Sequence, residues 1–111
     1  MTKSQLRIGQ DYNRPKGGIQ LTTNSFTFTV SGRVQGVGFR AYTARLGQRL
    51  AITGWVQNQR NGTVVGGACG LPESLEQFFT ELQIGSPAST VHRVTKAPCE
   101  KNWPDTFIIR Y

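Results

Sequence analysis

A two-layer α+β sandwich, one sheet with two helices on a single face, is predicted for this chain by three observations. Hydrophobic periodicity switches between 2 and 3.6 along the sequence, so strands and helices are interleaved. An Asn61-Gly62 pair stands between two strand-like runs and marks a hairpin. The length, 111 residues with 37% hydrophobic, suits one domain with one modest core.

The elements follow in order. Residues 1–24 keep no sustained period and contain Pro15, Gly17 and Gly18, so they read as a flexible tail, leaving 25–111 as the domain. Ser25–Ser31 alternates Phe26, Phe28 and Val30 with small polar residues, which is a strand with one buried face. The Gly-rich run from Gly32 to Gly38 reads as a loop. From Phe39 the period changes, and Phe39, Tyr42, Leu46 and Leu50 share one helical face. Ile52–Asn58 is a second strand; after the turn at 59–62, Thr63–Cys69 returns antiparallel as a third.

The second helix has the clearest boundaries. Pro72 suits its first position, and Glu73 and Glu76 favour the positive end of the helix dipole. Leu75, Phe78, Phe79 and Leu82 make the buried stripe, and Gly85 with Pro87 stops the run. Val91–Ala97 and Thr106–Tyr111 close the chain as two more strands. Strand, helix, strand, strand, helix, strand is the split βαβ order of a ferredoxin-like sandwich, here with an extra C-terminal strand.

Thirteen Lys and Arg against six Asp and Glu give a net charge of +7, of which the first 24 residues carry +3 and the remainder +4. A basic surface speeds encounter with any anion, whether nucleic acid, membrane or phosphorylated metabolite. No apolar run approaches the ~18 residues of a membrane span, and the N-terminus lacks the apolar stretch of a secretion signal, so a cytoplasmic protein is expected. The two cysteines, Cys69 and Cys99, form no CxxC pair, and with His92 alone they fall short of a zinc site. They are expected to be partly buried thiols at opposite sheet edges, too far apart for a disulfide.

Chemistry concentrates in Gly32-Arg33-Val34-Gln35-Gly36-Val37-Gly38-Phe39-Arg40, between a strand and a helix. Glycines there let successive amide N–H groups converge, and a nest at a helix N-terminus suits phosphate. Arg40, on the first turn, can hold two phosphate oxygens with its planar fork. The same glycines also suit a plain tight connection with Arg40 solvated, and spacing alone leaves both open. Neither a P-loop nor a dinucleotide fingerprint is present. Asn58 likewise reads either as a turn former or as a functional amide.

These residues, with Thr43, Gly54-Trp55-Val56-Gln57-Asn58, Asn61-Gly62-Thr63-Val64, Gly85-Ser86-Pro87-Ala88 and the ending Phe107-Ile108-Ile109-Arg110-Tyr111, resemble the acylphosphatase family over about residues 26–111. The resemblance implies a ferredoxin-like fold and hydrolysis of acyl phosphates to a carboxylate and inorganic phosphate, with no metal and no cofactor. It implies Arg40 as the catalytic clamp on the phosphoryl group and Asn58 as the residue orienting water. The amides of Gln35, Gly36, Val37, Gly38 and Phe39 would complete the cradle. A carboxylate whose conjugate acid has a pKa of roughly 4 departs without a general acid, so positioning and charge stabilisation are what remain to be supplied. Asn61 and Val65 stand where the family commonly has acidic residues, and the tail is long for a small member; none of these touches Arg40, Asn58 or the loop.

Two other readings compete. One is a nucleic-acid-binding module, suggested by fold order and charge, but the third strand lacks the aromatics that stack bases. The other is a phosphate-binding domain without turnover. A free-standing, monomeric enzyme acting on a small acyl phosphate, without nucleic acid or membrane as partner, is the reading that the resemblance implies and that is expected here.

Overall fold

A computed structural model describes residues 22–111, so the expected tail, apart from its last three residues, lies outside the described residues. Seven elements follow one another: β1 (Asn24–Arg33), α1 (Phe39–Arg49), β2 (Thr53–Asn58), β3 (Val64–Gly70), α2 (Pro72–Ile84), β4 (Thr90–Pro98) and β5 (Phe107–Arg110). They build one mixed five-stranded sheet in the order β4-β1-β3-β2-β5. The ferredoxin-like order expected from the sequence is the one observed, with β5 added in parallel beside β2.

Each element has a local cause. β1 alternates as read, and Phe28 and Val30 are buried. It runs two residues further than its pattern suggests, because a bulge at Ser31/Gly32 carries Gly32 and Arg33 on into pairing with Val91 and Thr90. Helix α1 starts at a left-handed Gly38 with no side-chain cap, and the buried Thr43 hydroxyl donates to the Phe39 carbonyl at 2.8 Å. Helix α2 starts with Pro72 at its first turn and stops at Gly85, whose N–H donates to the Glu81 carbonyl at 2.9 Å.

Between the helices and the sheet lies an aromatic core. Phe28 meets Phe78 and Phe79 edge-on, with ring centroids 5.9 and 5.8 Å apart, and Phe26 meets Phe79 at 5.7 Å. Gly66 in β3 leaves the space that the Phe28 ring fills; a Cβ there would strike that ring and the Trp55 carbonyl. Gly67 does the same on the opposite face, where Trp103 from the β4–β5 connection lies over it and packs against Trp55, centroids 6.4 Å apart.

The cysteines are not where the sequence reading put them. Strands β3 and β4 are each antiparallel to β1, and are therefore parallel to each other. Their C-terminal ends consequently meet at one end of the sheet: Cys69 pairs with Ser25, and the Cys99 N–H donates to the Ser25 carbonyl at 3.0 Å. The two thiols flank Ser25 instead of occupying opposite edges. Both are free, since two strand spacings, about 9–10 Å, separate their backbones and a disulfide needs less than ~7 Å.

Candidate active site

Topology brings the chemistry together. β1 and β2 both run antiparallel to β3, and β5 runs parallel to β2, so all three deliver their C-terminal ends to the same end of the sheet. The Gly-rich connection leaves the end of β1, Asn58 ends β2, and Tyr111 follows β5. Residues distant in sequence are neighbours here because of strand direction alone.

The connection is held firmly. Val34 is buried, anchoring its entry. The Val37 carbonyl accepts from the buried Ser86 hydroxyl at 3.4 Å, and the Val37 side chain packs on the core. Gly36 and Gly38 sit at φ 74° and 76°, a left-handed conformation that L side chains adopt only with strain. Phe39 is a core side chain, so only its backbone faces the loop. With no acidic residue in the first turn and no side chain capping it, the N-terminus of α1 presents its free N–H groups and positive dipole end to the loop.

A small cavity of about 180 Å³ lies at this point, lined by Val34, Gly36, Gly38, Phe39, Arg40, Ala41, Asn58, Ile109 and Tyr111. Arg40 and Asn58 therefore share one cavity with the loop glycines. The Arg40 guanidinium donates to the Arg110 carbonyl at 3.4 Å and lies 4.8 Å from the centre of the Tyr111 ring. The Asn58 Oδ1 is buried and has no hydrogen-bond partner. A buried amide oxygen left unpaired costs about 1–3 kcal/mol, so this one is suited to accept from a donor that enters the cavity. Gln35 and Val37 are in the loop but do not line the cavity. Among the described residues no three His, Cys, Asp or Glu side chains come together as a metal site would require.

Sequence reasoning missed two walls of the cavity and one tie beside it. Ile109 and Tyr111 wall the cavity because β5 lies parallel to β2, a pairing no local pattern announces. The Gln35 side chain spans to the β2–β3 turn, donating to the carbonyls of Gln59 at 2.7 Å and Thr63 at 2.9 Å. Arg33 and Arg60 are exposed and outside the cavity. A larger groove, about 800 Å³, lies between α2 and β4 against Phe26, Leu75, Phe79 and Lys96, and holds none of the expected site residues.

Known proteins resemble the chain over most of its described residues. A family model described as acylphosphatase matches residues 26–109. An acylphosphatase of Vibrio cholerae is 45% identical over 73 residues, covering 66% of this chain and 80% of the relative. One from Halorhodospira halophila is 44% identical over 81 residues, covering 73% of this chain and 88% of that protein. Among solved structures, an acylphosphatase from Coxiella burnetii superposes with a TM-score of 0.76 at 33% identity, covering 79% of this chain and 93% of its own.

Proposed function

Since the chain belongs to the acylphosphatase family and is thereby an enzyme of acyl-phosphate hydrolysis, we propose that Arg40 and Asn58 are its catalytic pair. The observation that carries this is the unpaired, buried Asn58 Oδ1 in one small cavity with Arg40 and the uncapped helix end. The amides from Gln35 to Phe39 and the Arg40 fork receive the phosphoryl oxygens. Asn58 Oδ1 accepts a hydrogen bond from water and directs its lone pair at phosphorus. A bond forms from that water to phosphorus as the bond from phosphorus to the acyl oxygen breaks. The carboxylate leaves unprotonated, and the water's proton passes to the phosphate product. No general acid, metal or cofactor is needed, because the leaving group is a weak base and the charge on phosphorus is met by Arg40 and the amides.

The same reading assigns catalysis to residues 25–111, with 1–24 as a tail outside it, acting as a cytoplasmic monomer on a small acyl phosphate. No helix among the described residues is long and apolar enough to cross a membrane. Nucleic acid is not the partner we infer: on the sheet face away from the helices, the central strand β3 presents Gly67, which Trp103 already covers.

Hydrolysis of an aromatic acyl phosphate, measured with a chelator present, tests the proposal. Wild type should turn over, while Arg40→Ala and Asn58→Ala should each lose about 10²–10³ in kcat, the usual cost of removing one charge-stabilising or orienting group. Arg40→Lys should recover little, since a point charge cannot form the two-oxygen fork. A chelator-sensitive wild type, or a fully active Asn58→Ala, would falsify the assignment.

A further inference from the structure

The Gln35 side chain reaches out of the loop after β1 to a different connection. Both of its donor bonds end on backbone carbonyls of the β2–β3 turn: Gln59, directly after Asn58, and Thr63, directly before β3. The turn is otherwise closed by the Gln59 N–H to the Thr63 carbonyl at 2.9 Å and the Gly62 N–H to the Gln59 carbonyl at 3.2 Å. Gln35 therefore uses the second lone pair of each carbonyl without displacing any bond of the hairpin. β1 and β2 are not neighbours, since β3 lies between them. Apart from the sheet itself, this amide is a direct tie between the loop after β1 and the strand end that carries Asn58.

We propose that Gln35 is a positioning residue: its side-chain amide fixes the distance between the phosphate cradle and Asn58. The inference rests on the reading that Arg40 and Asn58 act on one substrate. The cradle holds phosphorus and Asn58 holds water, so a change in their separation misaligns the attack without removing either group. A shift of about 1 Å in such a geometry lowers rate by up to ~10²-fold. Binding of phosphate alone needs only the loop and Arg40, so it is spared.

The test compares Gln35→Met, which keeps chain length and removes both donors, with wild type on the same aromatic acyl phosphate. We expect kcat to fall at least about tenfold while affinity for inorganic phosphate, read by titration, changes less than about threefold. In an Asn58→Ala background the Gln35→Met change should cost little more, because the water-orienting group it serves is gone. Equal loss in both backgrounds, unchanged kcat, or a fall in phosphate affinity matching the fall in kcat overturns the proposal. A second measurement is independent of the variant's folding. In wild type the Gln35 side-chain amide protons should exchange slowly with solvent, and free exchange overturns the tie. A wild type without turnover sinks the catalytic reading and this inference with it, whereas an active wild type matched by Gln35→Met sinks this inference alone.

Discussion

Tyr42 faces α2 from α1, and its hydroxyl donates to the Glu81 carbonyl at 2.9 Å. Its pKa is raised above the usual tyrosine value of 10.0, first by burial, then by the Glu81 carboxylate, with Arg49 pulling the other way. A folded-state pKa above the unfolded one means the native state holds the proton more tightly. The stability that neutral Tyr42 contributes is whole below about pH 10 and is lost as pH rises through the folded value. Denaturation midpoints followed from pH 8 upward should fall for wild type beyond that point, and Tyr42→Phe should flatten part of the fall. At neutral pH the same substitution should cost about 1 kcal/mol for the lost bond. Single residues also show what sequence can and cannot disclose. Arg40 and Asn58, which the structure brings to one cavity, stand out in the sequence because each sits in a motif whose spacing resembles a known family. The Gln35 tie was not, since its acceptors are backbone carbonyls, which carry no residue identity.

Helix α1 reaches β5 through a glycine. A Cβ on Gly47 would lie 2.5 Å from Cδ2 and 2.7 Å from Cγ of Phe107, whose ring is itself backed by Phe78 with centroids 5.6 Å apart. Two effects oppose each other in Gly47→Ala: helix propensity gains about 1 kcal/mol, and overpacking against an immovable ring costs about 1–3 kcal/mol. Overpacking wins, so urea denaturation should show a net loss of up to about 2 kcal/mol despite a better helix former. The kinds and order of all seven elements were readable from period and turn chemistry, and boundaries fell within two residues. The largest offset, with a clear cause, is the end of β1. Gly32 looked like the start of a loop, but a bulge lets it stay in the sheet at φ 128°, where any side chain would meet the Thr90 carbonyl.

At the scale of the whole molecule, what periodicity could not supply was direction. The strand order expected for this fold is the one observed, yet opposite edges for the cysteines do not follow from it, because β3 and β4 run in the same direction. Two strands antiparallel to a shared neighbour must run the same way, so Cys69 and Cys99 end beside Ser25. The same rule makes the site, by gathering the ends of β1, β2 and β5. The place of β1 between β4 and β3 also bears on how the chain folds. Its partners come late, with Asn24 waiting for Gly70 and Phe26 for Pro98, so native contacts close long loops and little of the sheet is local. Refolding of a mixed α/β domain of this contact pattern should fall in the millisecond-to-second range, and stopped-flow fluorescence of Trp55 and Trp103 would read it. During synthesis β1 emerges before every strand it pairs with, and its second edge stays open until β4 is made. The first strand of the fold is exposed longest, and it is the one most in need of protection from other chains.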